Sequence, residues 1–189
     1  AGGDNNTASN TNATVGGGVD NTASGIRSTI AGGDSNTASN TNATVGGGSG
    51  NSSSGPFSAI SGGRDNNAPG FCSVISGGYN NSVSGNCSVI GGGCNNNIGN
   101  SGNRSGILGG TDNTVNDCNS FVIGSNITTD TDNTTFFNNI KADKFTAISN
   151  SDYYIDLTET PGDSIRAAGD IVAYYSSDRR YKDNIKPIE

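Results

Sequence analysis

Residues able to do chemistry are scarce in this chain. Its 189 residues include no histidine, so the side chain that most often serves as a base near neutral pH is missing. The four cysteines, Cys72, Cys87, Cys94 and Cys118, lack the C-x-x-C spacing of a zinc site and are too few for a disulfide-dense scaffold. Paired carboxylates, nucleotide loops and nucleophile elbows are absent, so a conventional enzyme has no supporting constellation and no cofactor is expected. The "GGD" and "GGTDN" pieces suggest calcium-binding rolls, which need an acidic residue every nine positions. Here the corresponding position reads Asp4, Val19, Asp34 and Ser49, and no metal is expected. Asn-x-Ser/Thr sites such as Asn12 and Asn42 arise by chance in so Asn-, Ser- and Thr-rich a chain, and glycosylation is not inferred. Near the C-terminus, "SSDRRYKDNIKPIE" at 176–189 sets Ser177 and Lys182 five residues apart. That is not a same-face helical spacing, and by itself it does not make a nucleophile and a base.

The elements that would position any of these groups follow from a repeat. "AGGDNNTASNTNATV" at 1–15 returns as "AGGDSNTASNTNATV" at 31–45, and the chain divides into fifteen-residue units through residue 90. A seventeen-residue unit at 91–107 and a fifteen-residue unit at 108–122 follow, and a partial ninth starts at Ile123. Each unit ends on Val or Ile, among them Ile30 and Ile75, and its eighth position is small or apolar, as at Ala23 and Ala68. Two glycines follow each terminal Val or Ile, as in Gly17 and Gly18 or Gly62 and Gly63, where a tight corner needs positive φ or close backbone approach. The sixth position is always Asn, from Asn6 through Asn21 and Asn66 to Asn113. Asn tolerates left-handed geometry and can hydrogen-bond its copy one turn above, which suits a corner and a ladder.

Such a rung predicts an all-β fold: a parallel β-roll or β-solenoid over residues 1–125, about eight turns, each climbing about 4.8 Å. Helices are disfavoured by the Gly and Asn content and by apolar positions that lack i, i+3 or i+4 partners. Ordering fifteen residues costs more conformational entropy than burying one Ile and one Ala returns. Lateral packing of identical coils would bury a second face, so a parallel homotrimer is expected. Cys72 and Cys87 share the twelfth position of consecutive units and should stack one rung apart, near the separation a disulfide needs. A rung-to-rung bridge and two reduced thiols both fit. Thr14, Thr29 and Thr44 form a short column of the kind that binds ice on flat solenoids, but the column ends at Ala59.

Composition excludes several partners. The net charge is −7 and only Arg27, Arg64 and Arg104 are basic before residue 140, so nucleic acid is not expected. No run of about 18 apolar residues supports membrane insertion. From about residue 121 the composition shifts, with most aromatic and basic residues falling after it, and a β-rich neck or shaft module is expected over 126–175.

The unit pattern seen in "GGGVDNTASGIRSTI" at 16–30 resembles the head repeats of trimeric autotransporter adhesins, and the resemblance covers residues 1 to about 125. It implies a trimeric, left-handed parallel β-roll, a fold used on bacterial surfaces and on phage fibres. The segment 136–165, with Phe136, Phe145, and Tyr153 and Tyr154 before Asp156, is similar to neck modules of phage tail fibres. The segment 176–189 resembles the opening of the intramolecular chaperone domain of phage tail spikes and fibres, where a Ser-Asp-x-Arg-x-Lys motif marks a self-cleavage junction. Ser177, Asp178, Arg180 and Lys182 fall on that motif. The resemblance implies attack by Ser177 on the carbonyl of Ser176, with Lys182 as base, in one turnover per chain. Ser177 would then stand at or before a helix N-cap with Lys182 reaching back, giving the C-terminal segment a helical start. It further implies a virion tail-fibre location, association with other tail or fibre proteins, and a host-surface receptor, usually a glycan. A bacterial cell-surface adhesin head is the alternative. The positions that vary most between units, four, five, eleven and twelve, are the expected outward sites, with Arg64, Tyr79, Ile26 and Phe71 among them.

Overall fold

The computed structural model describes residues 2–138. The chain divides into two units, Ala1–Lys141 and Ala142–Glu189, and the described residues belong to the first. The neck beyond residue 138, Ser176, Ser177, Asp178, Arg180, Lys182 and the expected helical start lie outside the described residues.

Each unit supplies two strands of two residues, because Gly or Asn interrupts every longer extended run. Strands at the seventh and eighth positions, Thr7–Ala8 through Thr114–Val115, stack into an eight-stranded sheet. Strands ending the units, Thr14–Val15 through Thr135–Phe137, stack into a nine-stranded sheet. All pairings are parallel and in register by one unit, as in Ala23 opposite Ala38 and Ile30 opposite Val45. The two extra residues of the long unit are taken up at a corner, since Ile90 still pairs with Ile107. A third column of single bridges joins the fourth positions, from Asp4 and Val19 to Cys94 and Thr111. The described chain is therefore an all-β, parallel β-solenoid of about nine turns. The last rung pairs Val122 with Phe136, so the stack continues past residue 125, where composition alone places a neck.

Four positions per coil point inward rather than the two that apolar spacing suggests. The eighth and fifteenth hold the apolar core: Ala23, Ile30, Ala38, Val45, Ile75 and their equivalents are buried. Each buried Val or Ile contributes roughly 1.5–3 kcal/mol. The sixth position is polar and buried, as at Asn21, Asn36, Asn66 and Asn81, and the thirteenth is a buried serine at Ser28, Ser58, Ser73 and Ser88 and alanine at Ala13 and Ala43. Burial of such groups is tolerable only if each is bonded, and among the described residues no buried side-chain N or O lacks a partner.

The asparagine column is a continuous ladder. Asn66 Nδ2 donates to Asn51 Oδ1 at 3.1 Å, to Gly62 O at 3.1 Å and to Gly78 O at 3.0 Å. Asn66 Oδ1 accepts from the backbone N of Asn81 at 3.0 Å and from Asn81 Nδ2 at 3.1 Å. The same set recurs at Asn21, Asn36 and Asn51. It ends at Asn113, whose Oδ1 accepts from the backbone N of Ile127 at 3.1 Å. The serine column is more local: Ser28, Ser58 and Ser73 each close their own corner onto the carbonyl of Gly25, Gly55 and Gly70 at 2.7–2.8 Å.

Left-handed backbone falls at three points per coil, the third, fifth and twelfth positions, and not at the sixth-position asparagines. Those asparagines must be extended and inward to bridge three coils, so the corner role passes to the residue before, such as Asp20 at φ 53° or Asp65 at φ 56°. Gly18 shows why the third position admits only glycine. Its φ is 97°, and a Cβ there would collide with the Gly33 backbone and the Asn21 amide.

The two nearly identical phrases show what stacking adds. Ala8 is exposed and Asn6 half-buried in the first coil, while Ala38 and Asn36, in the same sequence context one repeat pair later, are buried. The difference comes from neighbours above, not from local sequence.

Candidate functional site

Much of the variation between coils falls at the corners, where side chains leave the stack. At the twelfth position the left-handed residue is Arg27, Phe57, Cys72, Cys87 or Arg104, with φ of 51–59°. A bulky Phe in this region is strained, and it is held by rung bonds: Phe57 N donates to Thr41 O at 2.9 Å and Cys72 N to Pro56 O at 3.0 Å. This corner carries an apolar ridge. Phe57 and Phe71, on adjacent rungs, meet edge to face with ring centroids 5.7 Å apart, and they are 52% and 45% exposed. Ile26 stands at the same corner two rungs nearer the N-terminus, with Thr41 and Asn42 between, and is exposed.

Another corner, built on the fourth-position bridges, carries Arg64, Tyr79 and Cys94 on successive rungs. The Arg64 guanidinium lies 4.5 Å from the Tyr79 ring centroid and reaches Asp65 at 3.4 Å, on a fully solvated surface. Such a cation–π contact contributes about 0.5–1 kcal/mol, and it leaves guanidinium N–H donors free for a partner. Among the described residues no three His, Cys, Asp or Glu side chains gather where a metal could be held, and no helix is long and apolar enough to cross a membrane.

Cys72 and Cys87 stand on successive rungs of the twelfth-position corner, and both are free thiols, as are Cys94 and Cys118. The backbone at both is left-handed, and Cys87 N donates to Phe71 O at 2.8 Å. Cys118 Sγ instead donates to Ser101 O at 3.1 Å. Of the repeat positions singled out from sequence, Gly18 and Gly63 adopt positive φ and Gly17 and Gly62 do not. Asn21, Asn66, Ile30 and Ile75 are buried.

Two features escape a reading based on apolar spacing. The thirteenth-position serines are core residues, and their signal was the constancy of "S" before the last two letters of units such as "SAI" and "SVI". The outward positions flanking each terminal Val or Ile also change along the chain. Early coils read Thr14 and Gly16 or Thr44 and Gly46, whereas the late ones read Leu108, Phe121, Ile123 and Phe137, all exposed.

No protein-family model matches the chain, and no curated protein matches it closely enough to count as a relative.

Proposed function

We propose that this protein is a structural and adhesive fibre component of a phage tail or virion, assembled as a homotrimer and presenting corner side chains to a host-surface receptor. The observation that carries the reading is the division of labour between interior and corner. A bonded ladder and an apolar column repeat with little change through the stack, while Ile26, Phe57, Phe71, Arg64 and Tyr79 differ from coil to coil at exposed corners. A rod that varies only where it meets solvent suits display. An exposed aromatic ridge and a guanidinium offer the apolar platform and hydrogen-bond donors that bind the faces and hydroxyls of a glycan.

The C-terminal motif supports the phage assignment over a cell-surface one. Ser177, Asp178, Arg180 and Lys182 match the junction at which a fibre releases its chaperone after assembly. In that reaction the Ser177 hydroxyl loses its proton to Lys182 and attacks the Ser176 carbonyl, and the peptide nitrogen of Ser177 leaves as the amine. Water then opens the resulting ester, returning the hydroxyl. Arg179 and Arg180 favour a neutral Lys182 by like-charge repulsion.

Antibodies against residues 2–138 test the location directly. Decoration of tail fibres and blocked adsorption are expected. Labelling confined to a bacterial outer surface would instead establish the adhesin-head alternative. In a chain carrying the full chaperone, mass spectrometry should find a cut between Ser176 and Ser177 that Ser177→Ala abolishes, and its persistence in that variant would overturn the dyad.

A further inference from the structure

The two sheets of the solenoid have different outer faces. Outward positions on the eight-stranded sheet are polar except at Pro69 and Gly99, from Thr7 and Ser9 through Ser52 and Ser82 to Thr114 and Asn116. Outward positions on the nine-stranded sheet begin as Thr, Gly, Ala and Ser, and from Val74 on an apolar row enters beside Ser76, Gly91, Gly106 and Thr135. The row then runs through Val89, Leu108, Phe121 and Ile123 to Phe137. Five of the ten exposed large apolar side chains among the described residues lie on it, and Leu108 is 57% exposed. The Phe121 ring lies across Gly106 on the neighbouring rung, where any Cβ would strike it, so the glycine makes a seat for the ring. Monomeric proteins seldom leave a contiguous apolar strip of this kind in water.

We infer that the outer face of the nine-stranded sheet between Val74 and Phe137 is the contact between copies of this chain, and that the first four coils are not held by it. The inference rests on the trimeric reading above and adds where the copies touch. Charge selects the occupant. Each chain carries a net −7, and every charged residue among the described residues sits at a corner or in the last turn, none on this face. Identical acidic copies can therefore approach here without bringing carboxylates together. The face is also a straight row with one rung per unit, so parallel copies related by rotation about an axis along the stack set equal rungs opposite one another. The Thr, Gly and Ala of the early coils offer little apolar area by comparison.

The experiment measures association of the full chain by sedimentation equilibrium, with Leu108→Asp as the test and two controls. Ser82→Asp places the same charge on the other sheet, and Thr29→Asp places it on the same face in the second coil. Leu108→Asp should weaken association by about 100-fold or more, since it buries an unpaired carboxylate at each contact. Both controls should change it by less than about tenfold. Unchanged association in Leu108→Asp, or equal weakening by Ser82→Asp, would overturn the inference while leaving the trimer standing. A wild-type chain that sediments alone would overturn the trimeric reading itself. Should Leu108→Asp fail to fold, carbene footprinting of the unmodified assembly decides. Leu108, Phe121, Ile123 and Phe137 should be labelled several-fold less than Phe57, Phe71 and Tyr79, which are comparably exposed on a single chain. Equal labelling of the two groups would overturn the inference.

Discussion

Replacing Asn66 by Ala removes one step of the amide ladder, and the structure sets its cost. Three donations are lost, to Asn51 Oδ1, Gly62 O and Gly78 O, together with two acceptances from Asn81. Not all of these leave an orphan. Gly78 O still accepts from Arg64 N at 2.9 Å, Asn51 Oδ1 still accepts from Asn66 N at 3.0 Å, and Asn81 Nδ2 keeps Gly77 O and Gly93 O. The backbone N–H of Asn81 does become an orphan, buried with its acceptor gone. An unsatisfied buried donor costs about 1–3 kcal/mol, and the remaining net hydrogen-bond loss is about 1–2 kcal/mol. The expected destabilisation is therefore about 2–5 kcal/mol, whose upper end is large for a single substitution. Denaturant unfolding followed by far-UV circular dichroism, at one fixed protein concentration, measures it. Asn67→Ser is the control, because Asn67 is exposed and neighbouring rungs carry Ser52 and Ser82 at that position; its effect should stay within about 0.5 kcal/mol. Equal, small shifts for the two variants would refute the claim that the interior asparagines hold the coils together.

Three further outcomes follow from the same geometry. Gly18→Ala should destabilise by about 3 kcal/mol or more, since left-handed strain and collision with the Gly33 backbone add; Gly62→Ala, where nothing lies within 4 Å and φ is not positive, should be tolerated in the same melting assay. Ser53→Ala should stay within about 1 kcal/mol of wild type, because Ser58 Oγ keeps its 2.7 Å bond to Gly55 O and Ala already fills this position in Ala38 and Ala68. Ile75→Ala should cost about 2–5 kcal/mol by loss of buried area and a residual cavity, read as a lowered denaturant midpoint with unchanged slope.

The period and the terminal Val or Ile made the parallel stack legible, because parallel strands in register demand the same residue type at the same offset. The inward role of the sixth and thirteenth positions was less legible. Asn and Ser are turn formers in isolation; a neighbouring coil supplies the Asn51 Oδ1 acceptor that lets Asn66 be buried, whereas Ser73 bonds Gly70 O within its own corner. The left-handed corner was placed one residue late for the same reason, since Asn21 advertises such geometry but Asp20 adopts it. The ninth coil was obscured by its length and content: fourteen residues separate Val122 from Phe136, and Ile127 stands where the ladder would call for Asn. The corner ridges could be located from variation among copies, whereas the pairing of Phe57 with Phe71 across positions eleven and twelve depends on backbone direction that spacing does not reveal.

On the proposed trimer these thin coils persist because equal neighbours cover them, along the whole stack and, from Val74 onward, beside it. The native mass of the purified chain in solution tests this most directly. The expected result is three chains per particle at micromolar concentration, with no folded single chain on dilution short of unfolding. A stable, folded species containing one chain would contradict it.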